Sequence, residues 1–288
     1  MTELIKGYHH NTVLRRSFDA LSIDTFGLSL EDWYQNRFWG DNYILYSIIE
    51  DNKVVANISV SITNMSFSGE MKKFIQLGNV MTDKDYRNRG YIRQIMNQID
   101  AEYADKTDGI YLFANDTVLD FYPKFGFKRA KEYQYSKQVL NSGECQYEKV
   151  IMDNTSAWDI MVSVMDKNQF QGRFDMIGNH ELIMFYVTKF MRKNVYFHKK
   201  SNTFVIAEID AEQVLIHNVF STTLVDIDDV FAWFGKNVKK AVLGFVPMNS
   251  VGYKVEELKK ENTTMFIKGD TLNIIEREKL RIPSLSHA

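Results

Sequence analysis

A single cysteine, Cys145, stands in the whole chain, so no intramolecular disulfide can form and no cysteine-rich zinc site can assemble. That fits a reducing compartment, and the cytoplasm is the expected location. Charge of one sign is lacking as well: 35 Lys and Arg face 37 Asp and Glu, for a formal charge of -2. With no overall basic field, a general nucleic-acid binder is excluded. Long apolar runs are also missing. The opening "MTELIKGYHH" has no apolar signal-peptide core, and "LIMFYV" at Leu182 to Val187 is far too short to span a bilayer. Neither secretion nor membrane insertion is signalled. His9 and His10 are adjacent but have no carboxylate at ligand spacing, so no metal site is read there; His217 reads as a packing residue.

What is present is a globular composition, 45% hydrophobic and 25% charged over 288 residues, with room for about two ordinary domains. The segment "YILYSIIEDNKVVANISVSITNM" alternates apolar and polar residues around Glu50, Asp51 and Asn52, which predicts two strands joined by a tight turn. "KKFIQLGNVMT", Lys72 to Thr82, predicts another strand. Directly after it, "YRNRGYIRQIMNQI" carries Ile92, Ile95, Met96 and Ile99 at the spacing of one helix face. Asp108-Gly109 marks a turn and "IYLFA" a buried strand. "NDTVLDFYPKF" predicts a helix capped by Asn115 and ended by Gly126, and "FKRAKEYQYSKQVL" one further strand. The polar "NSGE" at Asn141 to Glu144 divides the chain into units of 1–140 and 145–288.

The second half echoes the first. "IQLGNVMT" at Ile75 to Thr82 resembles "VLIHNVFS" at Val214 to Ser221. A hairpin-like "VYFHKKSNTFVIAEIDAEQVLI" precedes the second copy, and helix-like "DDVFAWFGK" and strand-like "KAVLGFV" follow it. Chance likeness between two buried strands is the alternative.

The stretch from Tyr86 to Ile99 places Arg87, Arg89, Gly90 and Arg93 at a helix start, where unpaired N–H groups and the positive end of the dipole can receive a phosphate. A pyrophosphate suits the site, and a solvated basic turn is the other reading. Taken with "NDTVLDFYPKFGF", Asn115 to Phe127, the loop resembles the GNAT superfamily of acetyl-CoA-dependent N-acetyltransferases. Arg87-Asn88-Arg89-Gly90-Tyr91-Ile92 corresponds to its pyrophosphate loop, with Ile92 where Gly or Ala is usual and Val118 where Ala is usual. "RNRGYIR" is similar to the loop of the enhanced-intracellular-survival branch, which also carries a degenerate second GNAT domain.

The resemblance implies an α/β (α+β) fold, a mixed, mostly antiparallel sheet flanked by helices, followed by a second GNAT-like domain. It implies that the backbone of Val80, Met81 and Thr82 pairs with the pantetheine arm of acetyl-CoA and that Asn88 to Ile92 hold the pyrophosphate. Tyr122 would protonate the departing thiolate, with packing as its other explanation. Asn115 is either a cofactor contact or simply a cap. For the base the resemblance points to the strand, whose body offers only Gln76 and Asn79, flanked by Glu70 and Asp83, or to a chain-terminal carboxylate at Ala288. In the second copy Asp226 and Asp229 fall opposite Arg87 and Gly90, where like charge repels a pyrophosphate. That copy would be a scaffold completing the substrate cleft or an interface in a homo-oligomer. "EDWYQNRFWGDNY" places Trp33, Tyr34, Phe38, Trp39 and Tyr43 where the family walls its acceptor pocket, or in ordinary core. The expected activity is acetyl transfer to a primary amine of a small molecule or peptide, with no metal. A non-catalytic acyl-CoA sensor and a purely structural module are the alternatives.

Overall fold

The computed structural model describes residues 2–169 and 172–287. The chain begins with β1 (Thr2–Lys6) and α1 (Thr12–Phe26). Asn11 starts α1 by accepting hydrogen bonds from the amides of Val13 and Leu14, and α2 (Glu31–Gln35) follows. The expected hairpin forms as β2 (Tyr43–Glu50) and β3 (Lys53–Phe67). Its turn residues Asp51 and Asn52 both lie in the left-handed region, at φ 50° and 62°, the pairing that matches the twist of the flanking strands. Next come β4 (Glu70–Thr82), α3 (Tyr91–Tyr103) and β5 (Gly109–Ala114). α3 buries Ile95, Met96, Ile99 and Tyr103 against this sheet, while Phe18 of α1, Trp33 of α2 and Trp39 from the loop after it pack in a separate core.

Two expectations fail after β5. Asn115 to Phe127 is not one helix but two short 3-10 turns, Asp116–Val118 and Tyr122–Phe125, and the Asn115 side chain caps neither. Pro123 explains the break, because its ring excludes an α-helical hydrogen bond and clashes with the preceding turn. Gly126 does end the segment, at φ 83°. The single strand expected from Phe127 to Leu140 is two: β6 (Lys128–Ala130) and β7 (Tyr133–Gln138), in different sheets.

The second half supplies β8 (Glu148–Val150), α4 (Thr155–Met165), β9 (Gly172–Ile177), α5 (His180–Lys189), β10 (Val195–His198), β11 (Thr203–Asp210) and β12 (Gln213–Ser221). Then follow α6 (Ile227–Ala232), β13 (Lys240–Leu243), β14 (Val246–Pro247), β15 (Lys254–Glu257), β16 (Thr264–Lys268) and α7 (Ile274–Arg277). One sheet runs β1-β2-β3-β4-β5-β16-β6, with β9 beside β3 and β14 beside β9; the other runs β15-β7-β13-β12-β11-β10-β8. Among the described residues no helix is long and apolar enough to cross a membrane.

The sequence echo corresponds to a repeated topology. β4 is antiparallel to β3 and parallel to β5, as β12 is antiparallel to β11 and parallel to β13. The parallel pairing stops at Leu77 in one sheet and at Ile216, its counterpart in the echo, in the other. The sheets also exchange strands. The place between β5 and β6 is filled by β16 from near the end of the chain, and the place between β13 and β15 by β7 from the first half. The sheets therefore do not divide at 141–144. One apolar cluster joins them, running from Phe74 and Tyr111 to Val205, Val219 and Phe231.

Candidate active site

Beyond Leu77, β4 stays hydrogen-bonded to β3 but leaves β5, and a cleft of about 1040 Å³ opens along Gly78 to Thr82. A register irregularity on β3 between Asn57 and Ser59, with Asn79 at φ 41°, bends the strand at that point. Asn57 secures the bend: its Nδ2 donates to the Asn79 carbonyl at 3.0 Å, while Asn79 Nδ2 donates to the Tyr43 hydroxyl at 2.9 Å.

The basic loop heads this cleft. Asp83 accepts a hydrogen bond from the Asp85 amide at 3.0 Å and an ion pair from Lys53 at 2.6 Å; that lysine holds its carboxyl below the usual range. The chain then turns through Asn88 at φ 64° and Gly90 at φ 78° into α3. No side chain caps α3, so its first-turn amides face the cleft without a side-chain acceptor. A Cβ on Gly90 would meet nothing within 4 Å, so glycine is used here for its backbone conformation and not for room. Arg89 is committed to the loop itself, donating to the Asp85 carbonyl at 3.0 Å and lying 4.6 Å over the Tyr86 ring; Arg93 lies over Phe125. Ile92 lines the cleft and packs, half-buried, on the first core.

Every residue expected to contact the cofactor lines this one cleft: Val80, Met81, Thr82, Arg87, Asn88, Arg89, Gly90, Tyr91, Ile92 and Asn115. Tyr122 lines it too. Its ring is buried among Phe121, Phe127 and Phe266, and burial pushes the phenol up to about 12, so it stays protonated across neutral pH. The flanking carboxylates do not join it. Asp83 is engaged in the cap and ion pair, and Glu70 sits exposed at the far end of β4 beside Lys72; neither borders the cleft. Ala288 lies outside the described residues. Of the aromatic stretch, Trp33, Trp39 and Tyr43 are buried core and no member walls the cleft, whose outer wall is Thr25 and Phe26 at the end of α1. Among the described residues no group of three His, Cys, Asp or Glu is placed to hold a metal ion.

Sequence reasoning missed His287. This residue is carried into the cleft by the segment Arg281–His287 and stacks on Phe113 of β5, ring centroids 3.8 Å apart. Nothing local in "RIPSLSHA" signals that placement.

The second copy has no matching anion site. α6 is only six residues long, and Asp226 itself caps it by accepting from the Asp228 amide at 2.8 Å. The gap between β12 and β13 is also closed. Gly244 donates to the Ile216 carbonyl at 2.7 Å and accepts from the Ser284 amide at 2.8 Å, and Ser284 Oγ meets His217 Nδ1 at 2.8 Å.

A mixed sheet whose parallel neighbours part over an uncapped helix start defines an α/β protein with a cleft at the released strand edge. Residues 11–130 match the profile of the acetyltransferase (GNAT) domain. Among solved structures the chain is similar to a probable N-acyltransferase from Enterococcus faecalis V583, at a TM-score of 0.62 and 17% identity, covering 93% of this chain and 72% of that one. It is also similar to Eis1 from Mycobacterium abscessus, at 0.56 and 10% identity over 92% and 73% of the chains. A putative acetyltransferase from Pyrococcus horikoshii matches at 0.52 and 12% identity, covering 100% of this chain and 96% of that one. At these identities the likeness is one of fold. No curated protein matches the sequence significantly.

Proposed function

We propose that this chain transfers an acetyl group from acetyl-CoA to a primary amine of a small molecule or peptide, by direct attack in a ternary complex. The observation that carries the reading is the edge of β4 from Gly78 to Thr82, released from β5 and opening onto a cleft headed by the uncapped start of α3. The residues present fit acetyl-CoA. Val80, Met81 and Thr82 would pair with the pantetheine arm as an added strand. The amides from Asn88 to Ile92, with Arg87, would hold the pyrophosphate. Acetyl-CoA supplies an activated acyl group, and the chain orients it and handles protons. Tyr122, kept neutral by burial, would give its proton to the departing thiolate. In this reading residues 1–140 supply the cofactor loop and Tyr122, and 145–288 is a degenerate GNAT-like half that completes the first sheet through β16 and the cleft through His287, in a cytoplasmic protein.

Calorimetry with CoA and a thiol-release assay over a panel of primary amines test the proposal. Binding that weakens in Arg87→Ala and Gly90→Pro, together with amine-dependent thiol release, supports it; absence of acetyl-CoA consumption with every amine defeats it. A second reading, a non-catalytic acyl-CoA sensor, is favoured by one observation: among the described residues lining the cleft there is no Asp or Glu. Tight CoA binding without turnover would select that reading.

A further inference from the structure

We propose that the imidazole of His287 accepts the proton released by the attacking amine, a role that rests on the acetyltransferase reading above. His287 borders the same cleft as Tyr122 and the released edge of β4. Its Nε2 is buried and has no hydrogen-bond partner among the described residues. A buried polar atom without a partner is costly, and such atoms are rare unless something arrives to meet them. Here the arriving group is an amine N–H.

The ring is held from both sides. Phe113 stacks beneath it at an interplanar angle of 15°, and the His287 backbone carbonyl accepts from the Tyr186 hydroxyl at 2.5 Å. Upstream, Arg281 donates to the Leu243 carbonyl at 3.1 Å, the Ile282 amide donates to buried Glu132 at 2.8 Å, and Asn179 donates to Ser286 Oγ at 3.2 Å. A segment tied at this many points to both sheets delivers one side chain to a fixed place. This is the arrangement a proton acceptor needs.

Proton bookkeeping closes within the cleft. As the amine lone pair forms the C–N bond, the carbonyl π pair moves to oxygen and the nitrogen becomes cationic. His287 Nε2, carrying its lone pair in the Nδ1–H tautomer, takes one N–H proton. The oxygen pair then returns, the C–S bond breaks, and Tyr122 protonates the thiolate; imidazolium and phenolate are reset through solvent. Burial, with Arg281 and Lys260 nearby, pushes the imidazole down to about 3, so it is neutral at working pH. A base this weak cannot strip a free ammonium, so it acts only on a neutral amine, whose N–H gains acidity as the C–N bond forms. The amine therefore binds neutral.

Two variants test this on the full chain, with acetyl-CoA and whichever of a diamine, a lysine peptide or an aminoglycoside the wild type turns over fastest. His287→Ala removes the ring, and His287→Phe keeps the stack on Phe113 while removing both nitrogens. Both are expected to lose about 10²- to 10⁴-fold in kcat, the usual span for general acid–base catalysis. CoA affinity by calorimetry should stay within about twofold, and added imidazole should restore part of the rate of His287→Ala without affecting the wild type. A His287→Phe enzyme within about threefold of wild-type kcat, or a loss that imidazole does not relieve, overturns the role. A wild type that consumes no acetyl-CoA defeats the acetyltransferase reading itself, a different result from active wild type with indifferent variants.

Discussion

Phe266→Ala would remove a side chain that lies late in the sequence but deep in the first sheet. Phe266 sits on β16 opposite Leu112 and Arg129, is fully buried, and packs its ring 5.5 Å from that of Tyr122. Truncation forfeits about 2–3 kcal/mol of transfer free energy. A residual cavity of roughly 80 Å³, at about 24 cal/mol per Å³, adds about 2 kcal/mol. A loss of about 4 kcal/mol is therefore expected, inside the range of about 3–5 kcal/mol for buried Phe→Ala changes. Urea unfolding followed by tryptophan fluorescence and circular dichroism measures it, with an unchanged slope showing that the native state is intact. Because each sheet contains a strand from the other half, both probes should move together in one transition. A loss below about 1 kcal/mol, or two transitions of which only one shifts, would refute the claim that β16 is integral to the first sheet.

Three further outcomes follow from the same geometry. Gly90→Ala introduces no clash but must hold φ 78°, so it should cost about 1–2 kcal/mol in stability and weaken CoA binding as measured by calorimetry. Tyr122→Phe should lower kcat at least tenfold with CoA affinity nearly unchanged, since the ring's packing is retained; equal rates would remove Tyr122 from the chemistry. Asp175 is buried on β9, where burial pushes its carboxyl up to about 7, with the Met176 amide opposing weakly. A carboxyl raised on folding contributes stability at low pH that is lost as pH rises from about 4 to 7. Asp175→Asn should therefore gain on the wild type over that window, by up to about 4 kcal/mol, read as the difference in urea midpoints at the two ends; a constant offset would contradict the assignment.

The parts legible in the sequence are those whose signals are local. Alternation around Asp51 and Asn52 identified the hairpin, and the spacing of Ile95, Met96 and Ile99 identified α3 and with it the loop that starts it. The residues lining the cleft from β4, the loop and the 115–127 turns were legible for the same reason, since these segments follow one another directly in the chain. Pro123 was a visible warning against a helix there, outweighed by the apparent cap at Asn115. The exchange of β7 and β16 was not legible, because Tyr135 finds Leu243 and Phe266 finds Leu112 across more than a hundred residues and no periodicity encodes a partner. His287 was hidden in the same way. Its role depends on the closed gap between β12 and β13 and on the Phe113 ring, neither of which leaves a trace near "SLSHA".

The strand exchange has a consequence for how such a chain changes over generations. Two copies that each complete the other's sheet cannot be parted by recombination at the polar joint between them, because either fragment would carry an open slot and a stray strand. The helix start of the second half carries Asp226 and not an anion site, yet that half cannot be removed without opening the first sheet. The second half is thus held in place by the sheets it shares, whether or not it keeps an anion site.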